Sequence, residues 1–348
     1  MRASSLVEHR VTVAVAVLLA AAAAAAAART KNECHSGDKA ALLSIKSAFG
    51  NASYFNSWTP DTPCCEWANV ACDSSSSSSS STARRVVAVS FLDDAGLAGP
   101  LPGAAIARLT ALQQLVLSNV PGVNGTIPHN LTRLSATLSF LTITSTGISG
   151  PVPPFLSEIT ALGYLSLSSN KLTGHIPASL GDMPNLYFLD LGSNRLTGTI
   201  PPLLLSRAPG DAYLYLSHNR LAGGVPAEFA AVNFWTLDLS HNGLSGDASF
   251  LFGANKPLEN LDLSSNGFSF NLSAVQLPEN LNSLELSHND IYGDIPEQVV
   301  DLMLEYLNVS YNRLSGTVPA GGNMAWFDQS CFQHNKGLCG TPLPPCKE

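Results

Sequence analysis

Apolar and polar residues alternate along this chain in one short, recurring pattern. Between Leu162 and Pro177 the fixed positions are Leu162, Leu165, Leu167, Asn170, Leu172, Gly174, Ile176 and Pro177. They return as Leu186, Leu189, Leu191, Asn194, Leu196, Gly198, Ile200 and Pro201. The Leu-x-Leu alternation predicts one short strand per unit, with Leu165 and Leu167 turned inward beside Leu162, Leu172 and Ile176. The Asn is expected where the chain turns, satisfying backbone groups that would otherwise be buried unpaired. The Gly permits a bend, and Pro177 and its equivalents should mark the end of a second short extended segment.

The Asn position recurs at Asn219, Asn242, Asn266, Asn289 and Asn312, with gaps of 23 to 25 residues. Thr146 holds that slot one unit earlier. Two looser units, around 86–102 and 112–128, carry one extra residue before the Gly. A repeat of this length and spacing is the leucine-rich-repeat pattern. The fold class it predicts is an α/β solenoid: a right-handed superhelix of ten repeats over residues 86–319, with a parallel β-sheet on its concave face.

Both open ends of such a stack must be covered. Residues 29–85 are expected to form the N-terminal cap. Ala41, Leu42, Ile45 and Phe49 share one helical face, Asp38 is the expected N-cap and Gly50 the stop. Residues 320–348 are expected to form the C-terminal cap, with no helix signal. The seven Cys fall only in these two end regions. Neighbours Cys64 and Cys65 are poor partners for each other, so the pairs read as Cys34–Cys64, Cys65–Cys72 and Cys339–Cys346, with Cys331 left over. The serine run 74–81 has the composition of a disordered loop.

Ahead of the cap, Arg2 and Arg10 flank a polar start, and with the Ala-rich apolar run from Val11 to Ala28 it reads as a signal peptide over residues 1–28. No other segment could span a bilayer, so the mature chain should be secreted, into the extracellular space or cell wall. Cysteine usage and five glycosylation sequons, at Asn51, Asn124, Asn130, Asn271 and Asn308, agree with that compartment. The net charge of -8, with 13% charged residues, disfavours a nucleic-acid partner and suits a basic protein surface.

Repeat register turns each exposed strand position into a stripe. The slot between the inward leucines reads Ser90, Val116, Thr142, Ser166, Asp190, Tyr215, Asp238, Asp262, Glu285 and Asn308. Three consecutive acids side by side would raise one another's pKa, and a basic partner would relieve them. A second stripe, Phe140, Tyr164, Phe188 and Tyr213, is expected to face solvent as aromatic anchors. His218, His241 and His288 form a third, better placed to tune binding with pH than to hold a metal, since Ser265 breaks the row. There is no nucleophile elbow, phosphate loop or Cys/His metal spacing, so neither an enzyme nor a cofactor is expected.

The residues also resemble the plant polygalacturonase-inhibiting proteins. The resemblance is carried by Asp38–Leu43 with Cys64-Cys65-Glu66-Trp67, by the ten repeats, and by a seventh repeat ending Gly246–Gly253. An eighth that lacks the Gly, over Phe268–Leu272, and the ending Leu338–Cys346 complete it. It implies a cell-wall protein that binds secreted polygalacturonases and blocks pectin breakdown in plant defence. It also implies use of the concave face at Asp190 and Asp238, with Asp262 and Glu285 beside them. In the family's usual set of eight Cys, one bonded pair corresponds to Ser315 and Gly337 here. The alternative is a soluble module binding a peptide or receptor ectodomain. Adhesion to pectin would need Arg or Lys away from the acidic face.

Overall fold

The computed structural model describes residues 34–74 and 83–347. The apolar leader and all of the serine run but Ser74 lie outside the described residues.

Each coil opens with a strand on the inner face. Ten such strands pair in parallel, from Val86–Leu92 through Tyr164–Ser166, Phe188–Asp190, Phe234–Asp238 and Asn260–Asp262 to Tyr306–Asn308. Leucine pairs with leucine along the stack: Leu165 with Leu189, Leu189 with Leu214, Leu284 with Leu307. A one-residue slip would move the whole apolar set to the solvent side, so this register is strongly fixed. The result is one continuous core of stacked aliphatic columns running the length of the molecule.

A second set of short parallel strands follows the Asn turn, including Lys171–Gly174, Arg195–Gly198, Arg220–Gly223 and Gly243–Gly246. In two early coils a single strand, Gln114–Gly125 or Phe140–Pro151, serves both sheets. A register shift between Val120 and Asn124 takes up the extra residues there. Pro177 does not close the second strand, which ends at Gly174. It precedes a 3-10 turn, Ala178–Asp182, where a residue without an N–H is well suited. Most return segments are such turns, and they drive apolar residues inward, such as Leu180, Phe229 or Val299, or the pair Leu131 and Leu134.

The Asn residues form the ladder that joins coil to coil. Asn194 donates from Nδ2 to the carbonyls of Leu167 (2.9 Å), Leu191 (3.1 Å) and Gly192 (3.1 Å). Its Oδ1 accepts from the Leu172 N–H of the preceding coil at 3.0 Å. Thr146 keeps part of this role: its hydroxyl donates to Asn170 Oδ1 at 2.5 Å and accepts from the Ile148 N–H at 3.2 Å.

The C-terminal cap is more regular than its sequence suggests. Asn335 repeats the ladder, donating to Val309 and Phe332 carbonyls at 3.0 and 2.9 Å and accepting from the Leu314 N–H at 2.9 Å. Gly337–Cys339 pairs in parallel with Arg313–Thr317. The cap is therefore a degenerate eleventh coil, with Phe332, fully buried, standing where other coils use leucine. Cys331 occupies this coil's inner-face slot: its carbonyl accepts from the Val309 N–H at 2.8 Å, as the Asn308 carbonyl does from Leu286 one coil earlier.

At the other end, helix α1 (Ser36–Ala48) buries Ala41, Leu42 and Ile45 against a cluster of rings that includes Phe55, Trp58 and Phe91. Asp38 is not its N-cap. His35 holds that position, without a capping side chain, and Asp38 sits buried in the first turn. Its carboxylate takes a two-point contact from Arg85 (2.9 and 3.0 Å) and the Val86 N–H (2.9 Å), which clamps the helix to the first strand of the stack. Cys34 is bonded to Cys64, Cys65 to Cys72 and Cys339 to Cys346, and the Cys331 thiol is free.

Candidate functional site

The inner face divides into two halves. In the slot between the buried leucines, Val116, Thr142 and Ser166 are buried, whereas Asp190, Tyr215, Asp238, Asp262, Glu285 and Asn308 are half-exposed. Strand pairing sets these six in register: Asp190 with Tyr215, Tyr215 with Asp238, Asp238 with Asp262, Asp262 with Glu285, Glu285 with Asn308. Adjacent members stand one strand spacing apart, about 4.8 Å.

One device holds every acid. A carboxylate oxygen of Asp190, Asp238, Asp262 and Glu285 accepts the backbone N–H two residues on, from Gly192, Ser240, Ser264 and Ser287, at 2.8–3.0 Å. The second oxygen is left for other work. That of Asp190 accepts from the Ser166 hydroxyl (2.8 Å), and that of Glu285 from the Tyr306 phenol (2.6 Å). Among the described residues none of the four has an ion-pair partner.

Crowding leaves its mark on these groups. Burial, and then the charge of Asp238, pushes Asp262 up to about 7. Burial also raises Asp190, against the hydrogen bonds from its serine and glycine neighbours. Tyr215, between two acids, is pushed up to about 12, chiefly by burial. Three or more close ligand atoms occur among the described residues only at Cys34, Cys64 and Cys65, whose sulfurs are disulfide-bonded.

The aromatic stripe departs from expectation. Phe140 stacks on Tyr164 at 4.1 Å and Tyr164 on Phe188 at 3.9 Å, ring planes within 14°. Phe188 is only 8% exposed, and Phe140, Tyr164 and Tyr213 are half-buried. Rings one strand apart spend their faces on each other, so they present edges rather than open anchors.

The histidine row also differs. His218 and His241 are exposed and stacked at 4.2 Å, and both have positive φ, 53° and 52°. Burial, followed by the neighbouring His218, lowers the pKa of His241, so the acidic surroundings do not win there. The left-handed conformation is the turn itself, repeated at Ser169, Ser193, Ser265, His288, Tyr311 and His334. His288, Tyr311 and His334 continue as a second ring stack at 4.1 and 4.0 Å, which Tyr311's side chain completes.

The repeat also sets out a basic row that none of the three stripes includes. Lys171, Arg195 and Arg220, one per coil directly after the ladder Asn, are exposed on the second sheet and have no ion-pair partner among the described residues. The fixed spacing from the Asn was the signal that could have found them.

The family model for the leucine rich repeat N-terminal domain matches residues 35–73, and the Leucine Rich Repeat model matches 161–183, 185–206 and 303–322. Coils, caps and matches together define a leucine-rich-repeat protein. Polygalacturonase inhibitor 1 of Arabidopsis thaliana is 41% identical over 91% of this chain and 94% of its own length. Polygalacturonase inhibitor of Pyrus communis is 44% identical over 90% of this chain and 92% of its own. The crystal structure of a plant ice-binding protein superposes with a TM-score of 0.85 at 43% identity, covering 90% of this chain and 99% of that one. The chain belongs to the polygalacturonase-inhibitor family, whose similar members are named as inhibitors and not as enzymes. No helix among the described residues is long and apolar enough to cross a membrane.

Proposed function

We propose that this chain is a secreted cell-wall protein that inhibits microbial polygalacturonases by covering them with its inner face. An enzyme that acts on a polyanionic chain needs a basic cleft, and the row Asp190, Asp238, Asp262 and Glu285 is the complementary surface. The observation that carries this reading is the row itself: four carboxylates held in fixed geometry with no cation partner among the described residues. Tyr215 lies within the same stripe, and Tyr306, one column over, reaches it through its hydroxyl on Glu285. Inhibition then needs steric cover and charge complementarity only, with no covalent step. Long-range attraction should speed the encounter and fade with salt.

The test is the double variant Asp238→Lys and Asp262→Lys against a panel of purified fungal polygalacturonases. Reversing two interface charges should weaken inhibition on the order of 100-fold or more. Unchanged inhibition across the panel removes the acidic row as the docking surface.

A second contact is favoured by one observation, the exposed row Lys171, Arg195 and Arg220, without an ion-pair partner among the described residues. Away from the acids, it suits the regularly spaced carboxylates of pectin. Its charge reversal should release the protein from de-esterified pectin while sparing inhibition of the enzyme.

A further inference from the structure

The sequon Asn308-Val309-Ser310 lies on the inner face, unlike the other four. Asn51 follows helix α1, Asn124 ends a strand of the second sheet, and Asn130 and Asn271 sit at 3-10 turns of the return side. Asn308 stands in the partner slot, in register with Glu285. It also repeats the device that holds the acids. Its Oδ1 accepts the N–H of Ser310 at 3.1 Å and the Ser310 hydroxyl at 2.8 Å. Where an acid folds one oxygen back to the i+2 amide and turns the second outward, Asn308 folds back its oxygen and turns Nδ2 outward, beside the Tyr306 phenol with which its side chain hydrogen-bonds. That nitrogen is the atom an N-linked sugar uses. The side chain is half-exposed, so the fold leaves room for a substituent leading into the hollow.

We propose that Asn308 carries an N-linked oligosaccharide, and that this glycan forms the C-terminal wall of the docking face. The attachment is made as the chain enters the secretory lumen. Nδ2 bonds to the anomeric carbon of a lipid-pyrophosphate-linked oligosaccharide, the bond from that carbon to phosphate oxygen breaks, the lipid pyrophosphate leaves and the amide loses one proton. Transfer precedes folding, so the folded structure must accommodate the sugar, and the Asn308 geometry does. Glu285 lies one strand back and Asp262 two, so at about 4.8 Å per strand a glycan leaning back about 5–10 Å screens Glu285 and reaches the edge of Asp262. A partner is thereby bounded at Glu285, which it meets at the glycan's edge, with the stretch from Asp190 to Asp262 open to it. The wall's role rests on the docking reading above, and the occupancy of Asn308 does not.

Occupancy is read first, without any enzyme. The protein secreted from plant cells is treated with a peptide-N-glycosidase in heavy-oxygen water and peptides spanning residue 308 are weighed. The expected result is the mass tag of a released glycan at 308 in most molecules. It should be absent in Asn308→Gln and in Ser310→Ala, and retained in Ser310→Thr, which keeps the sequon. An untagged Asn308 in the native protein overturns the proposal. The wall is read by reacting carboxyl groups with a water-soluble carbodiimide and an amine. Glu285 should label several-fold faster in Asn308→Gln and Ser310→Ala than in the native protein or Ser310→Thr, with Asp190 labelling unchanged. Equal Glu285 labelling in all four overturns the wall. Neither readout depends on inhibition.

Discussion

Asp262 stands in strand register with Asp238, and neither carboxylate has a cation within ion-pair distance among the described residues. Burial and the Asp238 charge raise the folded pKa of Asp262 to about 7, while an unfolded Asp titrates near 3.9. Between those values the folded state binds more protons than the unfolded one, so stability must fall as pH rises from about 4 to about 7. Asp262→Asn keeps an acceptor for the Ser264 N–H and removes the charge. It should stabilise the protein by about 1–2 kcal/mol at pH 7.5, after allowance for solvent screening, and change little at pH 4. Urea melts of both proteins across that range check the sign and the window.

The ladder should be the costliest polar element to break. Asn266 donates to the carbonyls of Leu239, Leu263 and Ser264 and accepts from the Leu244 N–H, at 3.0–3.2 Å. Asn266→Ala strands several of these groups where water reaches them poorly, at about 1–3 kcal/mol for a buried unsatisfied group. The expected loss is about 2–4 kcal/mol by urea denaturation. Asn266→Asp should cost less at low pH, where a protonated carboxyl still donates one bond.

Ring stacking on the inner face should matter to stability before it matters to docking. Tyr164 lies between Phe140 and Phe188 and loses both contacts in Tyr164→Ala. A loss of about 2–3 kcal/mol is expected from area and paired ring contacts together. Tyr164→Phe should melt like the native protein. If Tyr164→Phe instead abolishes inhibition without loss of stability, the hydroxyl is a contact in its own right.

Ser315 and Gly337 are cross-strand partners in the cap, and a Cβ on Gly337 would meet the Ser315 Cβ at 3.0 Å. A disulfide needs about 3.5–4.5 Å, so the strands must ease apart slightly. In a Cys331→Ser background, Ser315→Cys with Gly337→Cys should oxidise spontaneously. Closing the loop is worth about 3 kcal/mol in the chain-entropy model, less any strain. Thiol titration and the melting temperature with and without reductant measure both effects.

Most of the architecture was legible because a repeating coil is a local object. The Leu-x-Leu strand, the Asn turn and the inward columns follow from a spacing of 23 to 25 residues, and neighbouring coils place equivalent residues together without any long-range decision. That is why Asp190, Asp238, Asp262 and Glu285 could be aligned from text alone. The eleventh coil escaped because Phe332 and Leu338 replace a fuller leucine set, leaving Asn335 as its one clear mark.

What the tertiary structure decided was how side chains share space across strands. Text places Phe140, Tyr164 and Phe188 in one stripe, but only coordinates say that their faces close on each other. Text offers Asp38 as a cap, but its choice of Arg85 and Val86 depends on how the helix lies on the first coil. Periodicity fixes which residues are neighbours; rotamers, burial and competing hydrogen bonds, which have no sequence period, determine what those neighbours do.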